Sequence, residues 1–130
     1  MKKIILNCSW NPGSYSFVCD FDENSAHYEV KRYRPGNSDN KVGDLTGKEL
    51  KTFLKKVNSI DYMLVNNELG LPDDGGFLDF FTMEFLYTDD NRFYTCRWQP
   101  GFETEEMERI EELITYCDID FRDLYTPIDD

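Results

Sequence analysis

One run of alternating residues constrains this chain more than any other. Between Phe77 and Tyr87 the odd positions read Phe77, Asp79, Phe81, Met83, Phe85 and Tyr87. Successive side chains of a strand point to opposite faces, so all but Asp79 make one apolar stripe. From Arg92 to Trp98 the stripe moves to even positions, Tyr94, Cys96 and Trp98. Between the two lies Asp89-Asp90-Asn91, residue types that favour tight turns. With Asp90 and Asn91 as the loop, Asp89 faces Arg92, Tyr87 faces Tyr94, Phe85 faces Cys96 and Met83 faces Trp98. The reverse face then sets Glu84 against Arg97, an opposite-charge cross-strand pair. A slip of one residue would turn every apolar group to the wrong face, so the register is specified from both sides.

Pro100-Gly101 breaks the second strand, and Thr104 is the expected N-cap of a helix. Met107, Ile110, Leu113, Ile114 and Cys117 recur at helical spacing as its apolar stripe. Glu103, Glu105 and Glu106 sit near the helix start, where the macrodipole favours negative charge. Glu108, Glu111 and Glu112 lie further along, and Glu108 with Glu112 is a like-charge i,i+4 pair that costs a little.

The N-terminal part repeats the hairpin logic. Ile4, Leu6, Cys8 and Trp10 share one face, Asn11-Pro12-Gly13-Ser14 reads as a turn, and Tyr15, Phe17, Cys19 and Phe21 share the next face. A four-residue loop pairs Trp10 with Tyr15, Cys8 with Phe17, Leu6 with Cys19 and Ile4 with Phe21. Asp22-Glu23-Asn24-Ser25 turns into a more polar third strand, Ala26 to Arg34, which its charges suit to a sheet edge. Pro35 to Asp44 reads as a polar loop. Thr46-Gly47-Lys48-Glu49 reads as a capping box opening a helix that buries Leu50, Phe53, Leu54 and Val57 and shows Lys48, Lys51, Lys55 and Lys56 to solvent. Tyr62 to Val65 is expected as a short strand or buried extended segment, and Asn66 to Gly76 as the longest loop. Asp118 to Asp130 is acidic but carries enough apolar side chains to dock on the body.

The expected fold is therefore α+β: a mostly antiparallel sheet of five or six strands with two helices on one face, in the order βββα(β)ββα. The 130 residues make a single domain long enough to bury a core. The apolar run of the N-terminus ends at Asn7, too short for a signal core, and no stretch is long enough to span a membrane. A cytoplasmic protein is expected. Cys8, Cys19, Cys96 and Cys117 lack CxxC spacing and fall on apolar faces, which points to buried reduced thiols.

Chemistry is sparse. His27 is the single histidine and lies on a polar strand face, so no hydrolase base stands beside a nucleophile in the pattern. There is no P-loop, GxGxxG or EF-hand, because Asp118, Asp120 and Asp123 lack that loop's glycine and closing glutamate. No cofactor or metal is expected; a metal-dependent enzyme using Asp73, Asp74 and Asp79 is the least favoured reading. Trp10 and Trp98 fall on core stripes.

Charge is the remaining signal. The net of −12 divides unevenly: residues 1–60 hold ten Lys/Arg and seven Asp/Glu, residues 61–130 four and nineteen. The sign argues against nucleic acid and anionic membrane as partners. Asp73, Asp74, Asp89, Asp90, Glu105, Glu108, Glu111 and Glu112 are the candidate partner-binding residues, an acidic surface that would steer and hold a basic protein. In size, acidity and expected architecture the chain resembles small bacterial immunity proteins, which neutralise toxins such as nucleases. That resemblance rests on no sequence motif. It implies a non-enzymatic inhibitor of a basic toxin. The alternative is a self-associating subunit, a homodimer in which Lys48, Lys51 and Lys55 meet the glutamates of another copy.

Overall fold

The computed structural model describes residues 1–10, 13–66, 69–70 and 82–124, with the backbone alone at 69–70 and 122–124. The chain is α+β. Its strands are β1 (Lys2–Ser9), β2 (Ser14–Phe21), β3 (Ala26–Arg34), β4 (Asn37–Leu45), β5 (Leu69–Gly70), β6 (Thr82–Thr88) and β7 (Phe93–Trp98). They form one sheet in the order β4-β3-β2-β1-β6-β7-β5, antiparallel throughout except that the two residues of β5 run parallel to β7. Helix α1 (Gly47–Asn58) and helix α3 (Glu105–Cys117) cover one face, and the single turn α2 (Tyr62–Val65), which follows α1 in the chain, is held to the start of α3.

The β6–β7 hairpin has the register its stripes dictate. Tyr87 faces Tyr94, Phe85 faces Cys96, Met83 faces Trp98, and Glu84 faces Arg97. The Asp89 N–H donates to the Arg92 carbonyl at 3.0 Å, closing the two-residue loop at Asp90 and Asn91. Phe77, Asp79 and Phe81 lie outside the described residues. Thr104 caps α3, its hydroxyl accepting from the Met107 N–H at 3.3 Å. Met107, Ile110, Leu113 and Ile114 are fully buried, and each such side chain contributes roughly 1.5–3 kcal/mol relative to exposure.

Several expectations are corrected. The β1–β2 pairing is slipped by two residues, with Cys8 facing Tyr15, Leu6 facing Phe17 and Ile4 facing Cys19. A two-residue slip keeps every side chain on its face, so alternation cannot detect it. Trp10 leaves the strand instead: its N–H donates to the Gly13 carbonyl at 3.1 Å, and its half-buried ring lies where a Cβ on Gly13 would stand, at 2.6 Å. The third strand is not an edge. Residues 37–45 pair with it along their whole length, around a turn whose Gly36 takes φ +79°. Thr46 makes no side-chain cap, because Gly47 sits at φ +59°, outside helical geometry. Residues 62–65 are a helical turn, capped by the Asp61 carboxylate, which accepts from the Leu64 N–H at 3.1 Å. Leu54 and Lys56 are half-buried, the Lys56 ammonium lying 5.7 Å from the Tyr116 ring centre. Past α3, Phe121 is buried while Ile119 is exposed.

The opposite sheet face carries a different set of side chains, of which Ile5, Val18, Leu86 and Thr95 are half-buried and Val42 is exposed. No described helix or loop packs on this face. Register sets Val42, Glu29, Val18, Ile5, Leu86 and Thr95 in one row across six strands. Beside that row run the pairs Lys3–Asp20 at 3.6 Å, His27–Asp44 at 2.8 Å, Glu29–Lys31 at 3.6 Å and Glu84–Arg97 at 3.1 Å.

Candidate functional site

The acidic residues are distributed by the elements that carry them. The apolar stripe of α3 faces the sheet, which turns Glu105, Glu108 and Glu112 outward, all exposed. Glu105 pairs with Arg109 one turn on, at 2.9 Å. Among the described residues no salt bridge or side-chain hydrogen bond reaches Glu108 or Glu112. Glu111 does not belong to this outer face: it is half-buried and accepts from the Trp98 indole N–H at 2.9 Å. That bond satisfies the one polar atom of a fully buried tryptophan.

Glu106 is the unexpected member. It is 5% exposed, pairs with Arg109 and accepts the Asp61 N–H at 2.8 Å, so it fastens α2 to the start of α3. Tyr62 of α2 then stacks on Tyr87, with ring centres 4.2 Å apart, and donates its hydroxyl to the Val57 carbonyl at 2.6 Å. The N-cap N–H of α2 thus uses a carboxylate that helical spacing alone assigns to the dipole.

Asp89 and Asp90 occupy the β6–β7 turn. The Asp89 carboxylate accepts from its own turn, from the Asn91 N–H at 3.3 Å and the Arg92 N–H at 3.2 Å. Asp90 is exposed and 3.6 Å from the Met1 amino group. This turn shares one end of the sheet with Asp22 and Glu23, around a shallow cavity of about 390 Å³. The Asn24 and Ser25 N–H groups hold the Asp22 carboxyl below its usual range. No described hydrogen bond or ion pair joins this turn to α3. Asp73 and Asp74 lie outside the described residues, as does Asp79.

A second charged constellation has no counterpart in the sequence reading. Asp118, the C-cap of α3, is 1% exposed. Its carboxylate accepts from the Tyr15 hydroxyl at 2.9 Å and from the Arg32 guanidinium at 3.3 Å, and lies 3.5 Å from the Lys41 ammonium. A carboxylate at a helix C-terminus has the wrong sign for the macrodipole, and two cations from β3 and β4 offset it. Burial first, then the Asp118 charge, pushes the Tyr15 hydroxyl pKa up, so it stays a donor. Chemically this is a satisfied cluster, one carboxylate against two cations, that ties α3 to β2, β3 and β4. Lysine and arginine from the first half thus reach a carboxylate of the second.

The groups able to do covalent chemistry are separated. Cys8, Cys19, Cys96 and Cys117 are free and buried between sheet and helices. Burial raises the pKa of Cys8, Cys19 and Cys117, the last to about 12. His27 stands on the opposite side of the sheet against Asp44. Among the described residues no three His, Cys, Asp or Glu side chains are placed to hold a metal ion, and no helix is long and apolar enough to cross a membrane. No family model matches the chain, and no curated protein matches it.

Proposed function

We propose that this chain is a non-enzymatic protein-binding domain that engages a basic partner through the outer face of α3. Its most specific form is an immunity-type inhibitor of a basic toxin, such as a nuclease, acting in the cytoplasm. The observation that carries the reading is the pair Glu108 and Glu112. They are exposed, one turn apart and without a described partner. Glu112 also lies beyond the first turn, where the dipole no longer favours it, whereas Glu108 closes that turn. Such a like-charge pair costs an isolated helix about 0.2–0.5 kcal/mol. A basic surface docked there relieves that repulsion, and long-range attraction speeds its approach. Asp89 and Asp90 join this surface only at a large interface, since they stand on a different element.

The test is titration calorimetry of the chain against a panel of basic nuclease domains, with nuclease activity read in parallel. Binding is expected to weaken at least tenfold between about 0.05 and 0.5 M salt. Glu108→Lys with Glu112→Lys should weaken it further while leaving thermal stability unchanged or raised. Inhibition that survives both reversals would rule out the α3 face.

A further inference from the structure

We propose that the sheet face opposite the helices, on which no described helix or loop packs, is a self-association surface, on which a second copy of this chain packs face to face. This goes beyond the acidic-surface reading and uses the other side of the molecule.

The first support is composition by position. Val18, Ile5 and Leu86 are adjacent in one cross-strand row, Val42 ends that row beyond Glu29, and exposed aromatics flank it at two corners. Val42 is 63%, Phe93 66% and Tyr33 52% exposed, and all three project from this same face. An apolar centre with a polar rim is the anatomy of a protein interface.

The second support is charge, which selects the occupant. The face carries three cations, Lys3, Lys31 and Arg97, against four carboxylates, a net of −1 with His27 neutral. Since the whole chain carries −12, a charge of −11 lies elsewhere. A basic partner has no electrostatic reason to choose the near-neutral face. Two copies do, because a near-neutral face meets its own copy with little repulsion, whereas the α3 faces would bring carboxylates together; the exposed α1 lysines are the rival contact, and the α1 variant below tests it. Asp20, Glu29 and Glu84 are paired with Lys3, Lys31 and Arg97, and Asp44 stands against the His27 ring at 2.8 Å, so burial here leaves three of the four carboxylates ion-paired and the fourth hydrogen-bonded.

The third support is area. Six strands at about 4.8 Å spacing and four outward rows at about 6.8 Å give roughly 600–800 Å² once twist is allowed for. That approaches the ~800 Å² per partner of a standard stable interface. Twisted sheets pack this way at about 10 Å separation.

Salt separates this proposal from the previous one. Residual repulsion between two acidic copies is screened by salt, so the dimer tightens as salt rises, whereas docking of a basic partner loosens. Sedimentation velocity on the full chain, over about 10–500 μM protein and about 0.05–0.5 M salt, should show mass doubling with concentration and with salt. Val42→Glu with Phe93→Glu should hold the chain at single mass in every condition with an unchanged melting temperature. These two side chains are already solvated, so folding is not at risk. Lys48→Glu with Lys51→Glu, on the exposed face of α1, should leave the dimer intact. A single mass for the native chain throughout overturns the proposal. So does a dimer that survives the sheet-face variant, or one lost only in the α1 variant.

Discussion

The ring of Tyr28 lies across Gly43 on the neighbouring strand, so close that a Cβ on that glycine would stand 2.4 Å from the phenol. An aromatic side chain covering a cross-strand glycine restores the packing that the glycine forfeits. The ring has little room to yield, because it stacks on Phe17 with ring centres 5.9 Å apart. Gly43→Ala is therefore expected to destabilise the chain by about 1–3 kcal/mol in urea titration. Paired with Tyr28→Val the cost should be much less than additive, since the clash is gone. Additive costs would mean that the two residues do not meet.

This contact also explains why β4 is not legible in the sequence. Residues 37–45 read Asn-Ser-Asp-Asn-Lys-Val-Gly-Asp-Leu, with neither alternation nor strand propensity. Its side chains are nearly all exposed, so what holds it is the backbone ladder with β3, the Tyr28 ring over Gly43 and the Lys41–Asp118 pair. None of these leaves a periodic mark. The β6–β7 hairpin is legible for the converse reason: both faces constrain it, through apolar stripes on one side and Glu84–Arg97 on the other. The β1–β2 slip lies between these cases, since two registers satisfy the same alternation and only the fold of Trp10 onto Gly13 selects one. At the acidic face, spacing correctly exposes Glu105, Glu108 and Glu112. It misplaces Glu111, and it places Glu106 in the first turn without showing its burial, because both depend on polar atoms of distant elements, the Trp98 indole and the Asp61 N–H.

Asp118 should be the most sensitive carboxylate in the described chain. Asp118→Asn removes the charge that faces Arg32 and Lys41 while keeping the shape. Removing the buried charge unpairs a half-buried guanidinium, a cost moderated because Arg32 and Lys41 retain some access to water. A loss of about 2–4 kcal/mol is expected. The exposed neighbour Asp120, changed to asparagine, should stay within about 0.5 kcal/mol. Chemical denaturation of the two variants side by side decides it; equal effects would reduce the cluster to a surface contact.

The two threonines that the sequence marks as helix caps should behave differently. Thr104→Ala deletes the bond from the Met107 N–H and should cost about 1 kcal/mol. Thr46→Ala deletes no cap bond, because Gly47 has turned the helix start away, and should cost a few tenths of a kcal/mol at most. Thermal melts of both single variants give the comparison. A Thr46 variant as unstable as the Thr104 variant would contradict the described cap geometry.

The buried thiols and phenols set an alkaline limit on stability. Burial raises Cys117 from 9.0 to about 12, and raises Cys8, Cys19, Tyr15 and Tyr62 as well. Each of these groups keeps its proton in the folded chain at a pH where the unfolded chain releases it. The unfolded state then binds fewer protons, so unfolding free energy falls as pH rises. The contribution is complete below the ordinary thiol value of 9.0 and, for Cys117, is lost between there and about 12. Each buried group costs up to about 1.4 kcal/mol per pH unit within its window. The urea midpoint should therefore be flat across neutral pH and decline once thiols titrate, with Tyr15 and Tyr62 adding to the slope above their ordinary 10.0. In parallel, a thiol-reactive chromogenic disulfide should label all four cysteines at once in denaturant and very slowly in the native chain. Rapid native labelling, or a urea midpoint that holds steady through the thiol and phenol range, would show that these side chains are reached by water.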